Sequence, residues 1–201
     1  QAFIGRKDEI KAIASHLSNQ SVLFITGMAG IGKSEVAKAY AQTNRKKYTN
    51  IIYLYYTGDL RKDIANLTFA DDSVEMNEEV RFQNHYKVMQ RLHTDTLLIL
   101  DNFNVLPKDE PFLKELMKND MQLLITSRCK LKNYDSIEIK ELDKEKELTE
   151  LFYKHCPSAK RDPDSVSAII EEVNCHTLTV CMAALTLEAS GMEPEELLQE
   201  L

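Results

Sequence analysis

Glycine is scarce, with six in 201 residues. Three of them, Gly27, Gly30 and Gly32, fall within six consecutive positions, and a chain that spends half its glycines in one short stretch needs unusual backbone there. The four cysteines, Cys129, Cys156, Cys175 and Cys181, form no CxxC pair, and no histidine cluster has zinc spacing. That excludes a zinc ribbon and a redox dithiol, and it predicts reduced thiols in a cytoplasmic protein. No apolar run approaches the roughly 18 residues of a membrane span, and the first residues carry no signal-peptide pattern. Basic residues are outnumbered, 25 against 32, for a net charge of −7. This argues against a whole-surface grip on nucleic acid or anionic lipid, leaving room only for a local basic patch.

A chain of 201 residues is one large domain or one and a half small ones. It can bury roughly 70% of its unfolded surface, enough for a core without disulfide or metal. It starts at Gln1 and stops in mid-pattern at Glu200-Leu201, which reads as a piece of something longer.

Apolar runs at 21–26, 51–56, 96–101 and 121–126, with a weaker one at 136–140, read as strands. Between them lie helical patterns: Ile10, Ile13, Ala14 and Leu17; Val36, Ala37, Tyr40 and Ala41; Leu60, Ile64 and Leu67; Val80, Val88 and Leu92; Phe112, Leu113 and Leu116. Strands alternating with helices, and apolar throughout, predict an α/β fold with a parallel sheet flanked by helices. From about Leu142 no strand candidate remains. Leu148, Leu151, Phe152 and His155 share one helix face; Val166, Ile169, Ile170 and Val173 share another; Leu178, Cys181, Met182 and Leu185 a third. Pro194 opens a last helix. The expected division is a phosphate-binding α/β domain, 1–140, followed by a small all-α subdomain, 141–201.

Gly27-Met28-Ala29-Gly30-Ile31-Gly32-Lys33-Ser34 fits G-x-x-x-x-G-K-[ST], with a strand before it and a helix after it. Small residues let such a loop wrap a phosphate chain and point backbone N–H groups inward, and the following helix adds its positive end. Candidate nucleotide contacts therefore run from Gly27 to Ser34 and on to Glu35. Lys33 supplies charge to the β- and γ-phosphates and Ser34 an oxygen to Mg²⁺. A second metal-side group is expected at a strand end, and Leu97–Leu100 run into Asp101. Asn102 follows, where many relatives of this motif carry a second acid to activate water. An amide is a poor base at pH 7, so hydrolysis should be slow or absent. Arg128 stands just past the fourth strand, on the rim where sheet ligands bind, and is a candidate γ-phosphate contact. Asp109 and Glu110 are acidic but find no place at the phosphate.

These segments together resemble the NB-ARC (AP-ATPase) group of STAND P-loop NTPases. The resemblance is carried by Phe3-Ile4-Gly5-Arg6-Lys7-Asp8-Glu9, the phosphate loop, Asp101-Asn102 and Thr126-Ser127-Arg128, and it covers essentially the whole chain. Glu141-Leu142 and Leu151-Phe152 look like the group's "pL…ea..LF" helix. Cys175-His176-Thr177-Leu178-Thr179-Val180 stands in the place of "GxPLAL". The resemblance implies ATP or ADP bound between an α/β and a helical domain, with Mg²⁺. It also implies a switch: a closed ADP monomer and an ATP state that opens and self-associates. Phe3, Ile4 and Arg6 would line the adenine side, Arg128 would sense the γ-phosphate, and the helix from Thr177 and Leu178 would cap base and sugar. Thr177 replaces the usual proline, and the winged-helix segment that locks the closed state in many members lies outside this chain. His176 reads as a capping or packing residue; His16, His85, His93 and His155 read as surface or boundary residues.

Two other classes compete. A turnover ATPase of the AAA+ or DNA-loading type should carry a second acid after Asp101 and a basic face; Asn102 and the net charge count against it. A small-molecule kinase needs an arginine-rich lid, and 68–93 holds only Arg81 and Arg91.

Overall fold

The computed structural model describes residues 5–70, 72–73, 75–129 and 131–201. Helix α1 (Lys7–His16) precedes strand β1 (Val22–Thr26), helix α2 (Lys33–Thr43) and strand β2 (Asn50–Tyr55). Helices α3 (Leu60–Ala65) and α4 (Glu78–Met89) follow, then β3 (Thr96–Asp101), α5 (Phe112–Leu116), β4 (Gln122–Ser127) and β5 (Ser136–Glu138). The five strands form one sheet in the order β2-β3-β4-β1-β5, and every neighbouring pair is parallel. The α/β architecture predicted from the alternating apolar pattern is the observed one. β3 and β4 are buried at all six positions, which is why they read as unbroken apolar runs; β2 lies at the edge and is largely uncovered.

The chain divides into two compact units. One holds Asp8–Gly27 and Lys33–Glu138 and carries the whole sheet. Its core packs Phe24, Leu98, Leu100, Phe103, Leu123 and Ile125 with apolar side chains from α3 to α5. α2 buries Val36, Ala37 and Tyr40. The turn after β1 falls where the order reverses: β2 to β4 lie on one side of β1 and β5 on the other. In open parallel sheets that is where a ligand crevice forms.

The other unit holds Ile139–Leu201 with Met28–Gly32 and residues 5–7. A π-helical turn, Lys144–Leu148, runs into α6 (Thr149–His155); α7 (Pro163–Glu172), α8 (Thr177–Ser190) and α9 (Pro194–Glu200) complete it. Phe152, Val166, Ile169, Ile170, Val180 and Ala184 form its core. Asp162 caps α7 with Pro163 in the first turn, and Gly191, at φ 69°, ends α8.

Three expectations are corrected. Leu178, Met182 and Leu185 were expected to share an inward face of α8, but each is half-exposed, and Val180, Ala183, Ala184 and Leu187 point inward instead. α8 is apolar almost all round, so periodicity cannot choose its face. In α4, Val80 and Val88 lie outside, while Phe82, His85 and Met89 are buried. His85 is thus no surface residue: it is 1% exposed. Its Nδ1 lies 2.8 Å from the Ile64 carbonyl and its Nε2 2.6 Å from Asp72, with the ring stacked on Phe69. These partners come from two other segments and left no local pattern. No helix among the described residues is long and apolar enough to cross a membrane.

Candidate functional site

Within the sheet unit, three hydroxyl groups converge on Asp101 at the end of β3. Ser34 Oγ, in the first turn of α2, donates to Oδ1 at 2.7 Å. Thr126 Oγ1 donates to the same oxygen from β4, and Tyr53 donates to Oδ2 from β2. The register explains this convergence. Leu100 pairs with Ile125 and Tyr55 with Asp101, so Thr126 stands beside Asp101 and Tyr53 on its diagonal, all on one sheet face. Asp101 is 3% exposed. Burial pushes its carboxyl up, but the Thr126, Tyr53 and Ser34 hydroxyls together outweigh that and hold it below the usual carboxylate range. It is therefore a buried, ionised and fully oriented carboxylate.

Lys33 opens α2 and is half-buried, its Nζ donating to the Gly27 carbonyl at 2.9 Å. Burial first, and the Arg128 guanidinium second, pull the ammonium below the usual lysine value, against the attraction of Asp101. The second cause means that Arg128, though exposed, is close enough for its charge to be felt at Lys33. Its main-chain N–H donates to Asn104 Oδ1 at 3.0 Å.

Asn102 has φ 64°, a left-handed conformation that asparagine tolerates better than most residues. Its Nδ2 donates to the Tyr56 carbonyl at 3.3 Å, its Oδ1 accepts from Asn104 Nδ2, and its N–H donates to Thr126 Oγ1 at 2.9 Å. Both ends of the amide are thus engaged within the protein. Glu110 lies elsewhere: it accepts from the Tyr56 hydroxyl and the Leu60 N–H, holding α3.

The helical unit contains the tip of the glycine loop. Gly30 has φ 72°, and a Cβ there would meet the His176 ring at 2.5 Å and Leu178 at 3.0 Å, so any side chain must displace both. Gly27 and Gly32 also have positive φ. His176 Nε2 lies 2.8 Å from the Ala29 carbonyl and so carries the proton; Nδ1 meets Thr179 Oγ1 at 3.1 Å. Arg6, 6% exposed, donates to the Ile31 carbonyl at 3.3 Å. Two alternate carbonyls of the loop are therefore held, Ile31 by Arg6 and Ala29 by His176. The sequence marks Arg6 and reads His176 as a capping or packing residue; it does stand at the N-cap position of α8, but its ring reaches a partner 147 positions away. Ile31 is buried and Met28 is 58% exposed. Thr177 is half-buried at the start of α8, and its Oγ1 has no partner among the described atoms. Glu35 is exposed and pairs with Lys38 at 2.9 Å. The expected contacts Phe3 and Ile4 lie outside the described residues.

The donor set fits a magnesium nucleotide. The Ser34 proton is engaged on Asp101, which leaves the hydroxyl lone pairs for a cation, and Asp101 is ionised beside it. The Lys33 ammonium and the N-terminal end of α2 carry the sign of charge that phosphates need.

A parallel sheet with this order, and a lysine- and serine-ended glycine loop after β1, define a P-loop NTPase. The AAA domain family matches residues 15–133, more than half of the chain, and the chain belongs to that family. No curated relative matches the sequence. The fold is similar to a Drosophila ORC chain, in a structure of ORC bound to DNA, with TM-score 0.61 and 12% identity over 92% of this chain and 61% of that one. It is similar to a Walker-type ATPase of Pyrococcus abyssi, with TM-score 0.66 and 12% identity over 98% of this chain and 72% of that one. It is also similar to AMPPCP-bound DnaA from Aquifex aeolicus, with TM-score 0.62 and 17% identity over 98% of this chain and 65% of that one. This chain thus spans less than two thirds of the ORC and DnaA chains. At such identities the likeness shows the fold alone. The argument from net charge against nucleic acid gains no support from it, since ORC with this fold is bound to DNA.

Proposed function

We propose that the chain is the ATP/ADP-binding switch module of a larger cytoplasmic signalling or defence protein of the STAND class, NB-ARC type. In this reading residues 1–140 bind nucleotide and 141–201 form its helical subdomain. ATP permits self-association of the full-length protein, and hydrolysis is slow. Lys33 and the loop N–H groups hold the phosphates, Ser34 and Asp101 hold Mg²⁺, and Arg128 senses the γ-phosphate. Magnesium, when bound, neutralises phosphate charge and orients the chain of phosphates.

The observation that carries the slow-hydrolysis reading is Asn102. The position after the metal-side carboxylate holds an amide, tied at both ends to Tyr56 and Asn104, and so offers no base to a water. Steady-state ATP turnover of the isolated chain tests this. The expected rate is far below one per second; several per second, within the ordinary enzyme range, overturns it.

A second reading is a turnover ATPase that acts on DNA, which the likeness to ORC bound to DNA favours. It requires an acid supplied from elsewhere to do what Asn102 cannot. DNA-stimulated hydrolysis would select it over the switch.

A further inference from the structure

We infer that Tyr53 is a positioning residue for the metal-side carboxylate, its phenol fixing Asp101 in the orientation that receives Mg²⁺. The inference rests on the phosphate-site reading proposed above and deepens it. Nothing in the glycine-loop or strand-end motifs points to a tyrosine on the edge strand.

The argument begins with what a buried carboxylate requires. Asp101 has two oxygens, and a carboxyl that turns about its Cβ–Cγ bond presents either one to a cation. Oδ1 accepts from Ser34 at the start of α2 and from Thr126 on β4. Oδ2 accepts from the Tyr53 hydroxyl. Thr126 and Ser34 alone act on one oxygen and leave rotation opposed from one side. The phenol holds the other oxygen, and the carboxylate plane is then set from both.

Tyr53 is itself well held for this task. It sits on β2, where the ladder to β3 pairs Tyr53 with Ile99 and Tyr55 with Asp101, which places its ring diagonal to Asp101 on the same face. The Lys38 ammonium of α2 stands 5.6 Å from the ring centroid. A phenol keeps its proton at physiological pH, so the hydroxyl donates to the carboxylate. The ring is 40% exposed, so it is not there to fill the core. What the structure spends on Tyr53 is the bond from its hydroxyl.

Outer-shell partners that orient a metal-side group typically change metal affinity by about 10-fold or more when removed. Tyr53→Phe deletes one oxygen from a half-exposed ring and keeps the ring under the Lys38 ammonium. The test compares affinity for a fluorescent ADP analogue with Mg²⁺ and with EDTA, in wild type, Tyr53→Phe and Lys33→Ala. Binding of Mn²⁺ with ADP, followed by paramagnetic resonance, supplies a direct metal readout. The expected result is that Tyr53→Phe keeps the metal-free affinity, melts slightly lower than wild type for the lost bond to Asp101, and loses about 10-fold in Mn²⁺ affinity. An unchanged metal affinity would show the phenol to be incidental, and a tighter one would show it to be a plug; either overturns the inference while wild-type binding stands. If wild type binds no more ADP than Lys33→Ala, the phosphate-site reading itself falls and the inference with it.

Discussion

Thr126 Oγ1 joins two consecutive residues of the neighbouring strand end: it donates to Asp101 Oδ1 and accepts the Asn102 N–H at 2.9 Å. A single hydroxyl thus steadies the carboxylate and the left-handed turn after it. Thr126 is 1% exposed, so its removal is not compensated by water.

Thr126→Val keeps the shape and deletes the hydroxyl. It leaves the Asn102 N–H unpaired, at a cost of about 1–3 kcal/mol. The pH dependence has a definite sign. The folded Asp101 carboxyl lies below its ordinary value of 3.8, so the stability it contributes is present above the unfolded value and is lost as pH falls through the folded one. With one donor gone, the folded value rises toward 3.8. Acid unfolding of Thr126→Val, followed by circular dichroism, is therefore expected at higher pH than wild type. Coincident acid transitions would contradict the role assigned to this bond.

Much of this was legible in the sequence, for identifiable reasons. β3 and β4 are buried at every position, so an unbroken apolar run could mean little else. The glycine loop was conspicuous because glycine is rare elsewhere in the chain. What escaped were relations across the sheet. Tyr53 reaches Asp101 over 48 positions and His176 reaches Ala29 over 147, and neither has a spacing that local periodicity can register. His85 escaped because a histidine on a helix reads as polar until Ile64 and Asp72 are brought to both of its nitrogens. The inward face of α8 escaped because a helix apolar on all sides has no preferred one.

Lys33→Ala removes the ammonium that lies across the base of the loop. Calorimetry should show loss of measurable Mg-ADP binding. Burial first and the Arg128 charge second disfavour the ammonium more than the Asp101 carboxylate favours it, so the variant should melt close to wild type. An ADP affinity equal to wild type would refute the phosphate assignment.

Arg128→Ala addresses discrimination between nucleotides. The guanidinium is exposed and its charge is felt at Lys33, and in the proposed reading it contacts the last phosphate of a triphosphate. A charge-assisted contact made to ATP and not to ADP is worth about 1.5–3 kcal/mol. The expected outcome is a loss of roughly 10-fold or more for a non-hydrolysable ATP analogue, with ADP nearly unchanged. Equal losses for both would remove Arg128 from the γ-phosphate.

Cys175 offers a test of backbone strain in the helical unit. It stands where the resembled family has glycine, and its φ is 56°, directly after Asn174 at 55°. Asparagine tolerates that region, but cysteine has no polar group to compensate, and a left-handed residue with a Cβ costs roughly 1–2 kcal/mol. The segment is pinned by the Cys175 N–H donating to the Ile170 carbonyl at 2.9 Å, which closes α7 before α8 begins. Cys175→Gly relieves the strain, loses a small contact with the core around Ile170, and widens the unfolded ensemble. The net expectation is a gain of about 0.5–1 kcal/mol, read as a rise of a few degrees in melting temperature. Cys175→Val should do the opposite and cost more than 1 kcal/mol, because a β-branched side chain fits positive φ worst of all. If glycine and valine destabilise equally, the conformation at 175 is set by packing of the thiol against its neighbours rather than tolerated in spite of it.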